Sequence, residues 1–172
     1  MEVIIIRHGK TQGNLEKKYI GITDDPLCEI GINELKERTY PKADLIISSP
    51  LKRCRQTAEI IYGRYDEVVE DLRECNFGTF ENKSFVDMEN DEYYHKWVES
   101  GGKLPFPNGE CMESFKKRTI EAFEDTIARH RNVKRIAFVV HGGTIMAVGS
   151  KYKGGNFYDY HFKNGEYMVI SL

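Results

Sequence analysis

Two stretches of the sequence decide the fold: residues 3–9, VIIIRHG, and residues 136–143, IAFVVHGG. In each, a continuous and mostly β-branched apolar run passes directly into a histidine followed by glycine. Such runs are typical of strands buried on both faces, as in a parallel sheet covered by helices. A third run, residues 45–47, leads into Ser48-Ser49-Pro50. These stretches predict three parallel strands.

Helical patterns lie between the predicted strands. Ser49-Pro50 pairs a capping residue with proline at a first helical position, and apolar residues then recur at helical spacing to Ile61. A longer helix is predicted over residues 112–130. Alternating strands and helices predict an α/β fold, a three-layer sandwich with a mainly parallel central sheet flanked by helices.

Two further strand predictions come from weaker signals. Residues 67–70 form a short candidate strand. Residues 158–162 and 167–170 flank Asn164-Gly165, a dipeptide typical of tight turns, and together predict a closing hairpin.

Bulk composition predicts one globular domain spanning residues 1–172. Of 172 residues, 40% are hydrophobic and 30% charged, and the net charge of -2 gives no basic excess for nucleic acid or an anionic membrane. The amino-terminal residues lack the features of a signal peptide, and no apolar run is long enough to span a bilayer. We expect a cytoplasmic location, no nucleic acid or membrane partner, and an oligomeric state that the sequence leaves open.

The four cysteines are far apart and form no C-x-x-C pair, so free thiols are expected rather than a zinc site or disulfides. They are Cys28, Cys54, Cys75 and Cys111.

Residues 76–110 interrupt the alternation of strands and helices. They carry seven aromatic residues among many acids and end in LPFPNG. An insert of this length serves either as a substrate cap or as a satellite hydrophobic cluster, and the sequence leaves both readings open.

Charged and polar side chains follow the predicted strands. In an open α/β sheet, ligands bind beyond the carboxyl ends of the strands, so Arg7, His8 and His141 should meet there, with Arg53 from the first turn of the following helix. Guanidinium forks match phosphate oxygens, a helix N-terminus favours anions, and glycine after each histidine lets backbone amides approach. This combination predicts a phosphate site.

Cleavage of a phosphate ester needs a nucleophile and a proton donor. A neutral histidine is available as a nucleophile near pH 7, and a carboxyl group can protonate the leaving oxygen. Glu74, after the fourth candidate strand, is placed for the second role. Taken singly, such a histidine is more often structural; it is the combination that indicates catalysis.

The chain resembles the histidine phosphatase superfamily, which includes the cofactor-dependent phosphoglycerate mutases. The resemblance rests on four segments in the family's order: RHGKTQGN at 7–14, SSPLKRCRQTA at 48–58, LRE at 72–74 with Phe77-Gly78, and VVHGG at 139–143. Lys10, where an acidic residue is frequent, and Cys28, where threonine or serine is usual, depart from the pattern.

The resemblance implies a role for each matched position. His8 would become phosphorylated, and Glu74 would donate and later accept a proton. Arg7, Arg53 and His141 would hold the phosphoryl oxygens, with assistance from Asn14. Thr11 and Gly21 would touch the substrate. The resemblance implies no metal and no cofactor.

The expected partner is a small phosphorylated metabolite. Asn108-Gly109-Glu110, with Trp97 upstream and Phe115 and Arg118 downstream, resembles the branch of α-ribazole phosphatases in cobalamin biosynthesis. The aromatic residues of the insert could stack on a heterocycle. Four acids of the insert should repel a polyanionic leaving group: Asp87, Glu89, Asp91 and Glu92. The alternatives are a general phosphatase of small esters, a phosphoglycerate mutase and a catalytically inactive phosphate-binding module.

Overall fold

A five-stranded sheet forms the centre of the molecule. The computed structural model describes residues 1–172. The strands are β1 (Glu2–Arg7), β2 (Leu45–Ser48), β3 (Glu67–Val68), β4 (Arg135–Val140) and β5 (Tyr167–Ser171), in the order β3-β2-β4-β1-β5. The first four are parallel, and β5 pairs antiparallel with β1. The predicted mainly parallel sheet is confirmed.

Six α-helices connect and cover the strands. They are α1 (Gln12–Leu15), α2 (Glu29–Glu37), α3 (Lys52–Tyr62), α4 (Glu92–Glu99), α5 (Met112–Arg129) and α6 (Gly142–Lys153). Short 3-10 helices cover Glu70–Leu72, Gly78–Phe80 and Phe157–Tyr160. None of the helices combines the length and apolar character required to cross a membrane.

Successive residues of β1 point into two separate apolar layers, as strand geometry requires. Val3 and Ile5 pack in one buried cluster with Phe123 of α5. Ile4 and Ile6 pack in another with Cys54 of α3. Both faces of the sheet are buried, which explains why β1 and β4 are apolar at successive positions. The predicted three-layer arrangement is confirmed.

Two local predictions are wrong. Residues 158–162 form no strand: part of this segment belongs to the 3-10 helix Phe157–Tyr160, and β5 pairs with β1 instead. The helix predicted from Pro50 begins at Lys52 and has Leu51 as its cap. The Ser49 hydroxyl accepts from the Leu51 N–H at 3.4 Å and also lies against His141. The strand predicted over 67–70 is limited to Glu67–Val68, and the helix predicted over 112–130 forms as α5.

The insert, residues 76–110, builds a third apolar cluster. Phe80, Met88 and Phe106 are buried there against Phe115 of α5 and Phe157. Aromatic rings of the insert meet mostly edge to face, for example Phe80 and Trp97 with centroids 5.8 Å apart. The insert is therefore packed against the ends of α5 and α6.

Candidate active site

Parallel pairing brings the ends of β1, β2 and β4 together. Arg7 lies opposite Val140 and Ser48 opposite Val139, so His8, Ser49 and His141 follow the strands at one edge. The rings of His8 and His141 lie with their centroids 5.2 Å apart. Two segments separated by more than 130 residues thus meet in one site, as the sequence predicts.

His8 is held in one tautomer. Its Nδ1 lies 2.7 Å from the carbonyl oxygen of Gly9, and because a carbonyl only accepts hydrogen bonds, Nδ1 carries the ring proton. Nε2 then has a free lone pair. Burial, followed by the charges of Arg53 and Arg7, lowers the pKa of His8 well below its ordinary 6.5. The ring is therefore neutral and nucleophilic at Nε2 near pH 7.

Two arginines reach the site with unpaired donors. Arg53 is fully buried and donates from Nη1 to the Thr23 carbonyl at 2.7 Å and from Nη2 to the Gly21 carbonyl at 2.8 Å. Arg7 donates from Nη1 to the Phe162 carbonyl at 2.5 Å. The buried Nε atoms of both arginines have no protein partner. An anion beside His8 would supply the missing acceptors.

His141 is fully buried behind His8. Its Nε2 lies 2.7 Å from the Ser49 hydroxyl and 3.5 Å from the Cys54 sulfur. Burial, followed by the charge of Arg53, lowers the pKa of His141 well below 6.5. This histidine is thus neutral, and its orientation is fixed from α3 and the loop before it.

Glu74 is a buried carboxyl group on the other side of the site. Its Oε1 accepts from the Cys75 N–H at 2.9 Å and its Oε2 from the Gly143 N–H at 3.2 Å. Burial raises the pKa of Glu74 above its ordinary 4.5, although these backbone donors and the arginines oppose the shift. A side chain at position 143 would place its Cβ 2.5 Å from Oε1, so glycine makes room for the carboxyl group.

The loop that carries Glu74 is held by Arg118 of α5. Arg118 forms a two-point ion pair with Glu110, with both contacts at 2.7 Å. The same guanidinium donates to the carbonyls of Asp71 and Arg73 at 2.9 Å and of Glu74 at 3.0 Å. Glu110 also accepts from the backbone N–H of Asn76 at 2.9 Å. The two ends of the insert are tied to the loop of Glu74.

A cavity of about 330 Å³ opens over His8. Arg7, His8, Asn14 and Glu74 line it, whereas Arg53 and His141 are fully buried and lie outside the lining. Aromatic side chains form much of the opposite wall: Tyr19, Phe77, Trp97, Phe106, Phe115, Phe157 and Tyr158. The four acids predicted to repel polyanions are absent from the lining; Asp87 and Asp91 bond to backbone N–H groups of their own segment.

Two predicted substrate contacts lie outside the cavity lining. Thr11 caps α1, where its hydroxyl accepts from the Asn14 N–H at 3.3 Å. The carbonyl of Gly21 anchors Arg53 at 2.8 Å. Both residues thus contact predicted phosphate ligands.

The sequence also predicts that the backbone amide after each histidine faces the anion. For Gly9 this prediction is wrong, because its N–H donates to the Thr57 hydroxyl at 3.0 Å.

Sequence reasoning missed three polar residues that position the site. Ser49 contacts His141, and Thr57 receives the Gly9 N–H. Asn164 donates from Nδ2 to the His8 carbonyl at 3.1 Å and to Asn14 Oδ1 at 3.2 Å. Ser49 and Thr57 lie within the matched segment 48–58, which is a usable signal, whereas the sequence around Asn164 indicates only a turn.

No group of three or more histidine, cysteine, aspartate or glutamate side chains is placed to hold a metal ion. The four cysteines are free thiols. Cys54 and Cys75 are buried, and burial raises the pKa of the Cys54 thiol to about 12.

Together, the fold and the site define an α/β enzyme with a histidine in a cationic pocket that is suited to a phosphate group. The model of the histidine phosphatase superfamily (branch 1) matches residues 3–172, and the chain belongs to this family. Phosphoserine phosphatase 1 of Hydrogenobacter thermophilus is 28% identical over 100% of this chain and 87% of its own. The adenosylcobalamin/α-ribazole phosphatase of Salmonella typhimurium is 27% identical over 84% and 76%.

A solved structure extends the similarity to the fold. Phosphoserine phosphatase of Entamoeba histolytica in complex with 3-phosphoglyceric acid superposes with a TM-score of 0.80 at 27% identity, covering 98% of this chain and 89% of that one. The chain is accordingly a phosphatase of the histidine phosphatase superfamily.

Proposed function

We propose that this phosphatase hydrolyses a small phosphate monoester through a phosphohistidine on His8. One observation carries the proposal: a neutral imidazole with a free Nε2 lines the cavity together with Arg7, and the buried Nε atoms of Arg7 and Arg53 have no protein partner. The predicted roles of Arg7, Arg53 and His141 as ligands of the phosphoryl oxygens, and of Asn14 at the cavity wall, are part of this proposal.

The reaction proceeds in two in-line transfers. The lone pair of His8 Nε2 attacks phosphorus, the bond to the ester oxygen breaks, and protonated Glu74 gives its proton to that oxygen. Water then attacks phosphorus, Glu74 takes the proton of this water, and the phosphorus–nitrogen bond breaks. The raised pKa of Glu74 supports its acid role, since part of the population keeps the proton above pH 4.5.

We propose that residues 76–110 act as a substrate cap within a single domain. The insert supplies Phe77, Trp97 and Phe106 to the cavity wall. Such a wall favours a leaving group with an apolar or aromatic body. α-Ribazole 5'-phosphate is the specific candidate, and the similarity to adenosylcobalamin/α-ribazole phosphatases supports it.

A second candidate substrate is a phosphorylated hydroxy or amino acid. Lys18 and His161 also line the cavity and give it a polar side. Lys18 pairs with Glu16 at 2.6 Å, and a substrate carboxylate would compete for this cation. The similarity to phosphoserine phosphatases supports this candidate.

The test is phosphate release from a panel of esters by the wild-type protein and by His8→Ala. The panel holds α-ribazole 5'-phosphate, O-phosphoserine, 3-phosphoglycerate and p-nitrophenyl phosphate. We expect acid-labile phosphoprotein and turnover in the wild type, and a loss of at least about 10³-fold in His8→Ala. Circular dichroism checks that the variant is folded. Phosphoprotein in His8→Ala would refute the nucleophile, and isomerised 3-phosphoglycerate without phosphate release would favour a mutase.

A further inference from the structure

A second cleft of about 460 Å³ lies beside the catalytic cavity and has no hydrophobic residue in its lining. The two spaces share four lining residues: Arg7, Asn14, Lys18 and His161. Asn164, also in the cleft, donates to the carbonyl of His8 at 3.1 Å. The cleft therefore adjoins the catalytic cavity through these four residues, and no aromatic residue of the cavity wall lines it.

The cleft concentrates positive charge on a chain that is negative overall. Its lining contains six lysines and arginines and one acid, a formal charge of +5, against -2 for the whole protein. The six are Arg7, Lys10, Lys17, Lys18, Arg38 and Lys163. Glu34 pairs with Lys10 at 2.5 Å, and Glu16 pairs with Lys18 at 2.6 Å. The cations beyond these two pairs give the cleft an excess of positive charge.

Three of these cations have no carboxylate partner: Lys17, Arg38 and Lys163. They come from separate segments, after α1, at the end of α2 and in the turn before β5. All three side chains are exposed, so they are free to turn towards an anion that enters the cleft. Lys17 also adopts a left-handed backbone conformation, with φ 54°, which is unfavourable for lysine.

We propose that this cleft is a subsite for a second anionic group of the substrate, a carboxylate or a phosphate on the leaving group. This inference rests on the proposed function, because the reacting phosphoryl group would sit on His8 while the second anion lies among Lys17, Arg38 and Lys163. It selects the phosphorylated acid over a neutral aromatic ester, which would leave the cleft empty.

The test compares two esters that differ by one carboxylate, O-phosphoserine and O-phosphoethanolamine. We expect the wild type to favour phosphoserine in kcat/KM by about tenfold, mainly through KM, and the preference to shrink as salt is raised. The triple variant Lys17→Asn, Arg38→Gln, Lys163→Gln should lose most of this preference. Asparagine tolerates the left-handed conformation at position 17. Lys117→Gln, on the exposed face of α5, is the matched control and should keep it.

Calorimetric titration of the folded His8→Ala protein with both esters measures the cleft independently of turnover. Tighter binding of phosphoserine, lost in the triple variant combined with His8→Ala, supports the subsite even if the proposed hydrolysis fails. Equal binding of the two esters, or a preference that the triple variant retains, overturns it. The subsite is also overturned if the protein prefers α-ribazole 5'-phosphate and the triple substitution leaves the hydrolysis of this ester unchanged. That result would leave the proposed phosphatase chemistry intact.

Discussion

His8 and Glu74 show how the same burial prepares two residues for opposite tasks. Removing water disfavours the charged form of each group, so it lowers the pKa of the histidine and raises that of the carboxyl group. The histidine is then neutral and can attack, while the carboxyl group keeps a proton that it can donate. Both effects require the closed surroundings that the ends of the strands and Gly143 provide.

These shifts predict an activity optimum on the acidic side of neutral. As pH falls through the lowered pKa of His8, the nucleophile becomes protonated and kcat/KM falls. As pH rises through the raised pKa of Glu74, the proton donor is lost and kcat/KM falls again. Glu74→Gln cannot titrate, so we expect its pH profile to lose the basic limb and its rate to fall most for esters with poor leaving groups.

The measurement is kcat/KM against pH for both proteins with the same ester. The ionisation of the substrate phosphate, near pH 6, is then common to the two profiles. An unchanged basic limb in Glu74→Gln would contradict the assignment of that limb to Glu74.

At the scale of elements, α5 positions the loop of Glu74 through a single side chain. Arg118 contacts the three carbonyls of Asp71, Arg73 and Glu74 and pairs with Glu110 at the end of the insert. Glutamine at position 118 cannot make this set of contacts, because it lacks both the charge and the planar fork. The loop would then hold the carboxyl group less firmly.

We therefore expect Arg118→Gln to lower kcat by roughly 10- to 100-fold for poor leaving groups and less for good ones. If Arg118 acts only through Glu74, the substitution should cost little more in a Glu74→Gln background. A leaving-group series on the two single variants and the double variant checks this. Arg129→Gln, on the same helix and paired with Glu67, is the control. Fully additive losses would show that Arg118 acts by another route.

At the scale of the whole molecule, the apolar interior has two functions: part of it stabilises the sheet, and part of it forms a wall of the cavity. Two clusters bury the faces of the sheet, and the third joins the insert to α5 and α6 and forms the aromatic wall of the cavity. Substrate selection can therefore change in the third cluster while the ends of the strands, which carry the proposed chemistry, stay in place.

Trp97→Ala tests this division. Trp97 lines the cavity and lies with its ring 5.1 Å from Phe106 between centroids. We expect kcat/KM for esters with an aromatic body to fall about tenfold, because stacking area is lost, and that for small aliphatic esters to change little. Phe85→Ala, at an exposed aromatic of the same insert outside the cavity, is the control. Equal losses for both ester types would indicate that Trp97 supports only the fold.

The predictions from sequence succeed where a local pattern has one physical solution. Continuous apolar runs that are short and β-branched indicate buried strands, and in parallel strands the polar residues directly after them meet at one sheet edge. They fail where distant partners decide. Residues 158–162 look like a strand that would pair with β5, but Phe157–Tyr160 form a 3-10 helix whose Tyr160 packs against Gly149 of α6. Ser49 looks like the cap of a helix that starts at Pro50, but the helix begins at Lys52, and the Ser49 hydroxyl also contacts the distant His141.

By itself, the sequence determined the parallel α/β sheet, the family and the gathering of His8, His141, Arg7 and Arg53, because these depend on residues adjacent to strands. Only the tertiary structure decided which nitrogen of His8 is free, which donors lack partners, and that Arg118 holds the loop of Glu74. It alone also assembled the cationic cleft from three distant segments. The physical reason is that hydrogen-bond pairing and burial depend on neighbours far apart in the chain.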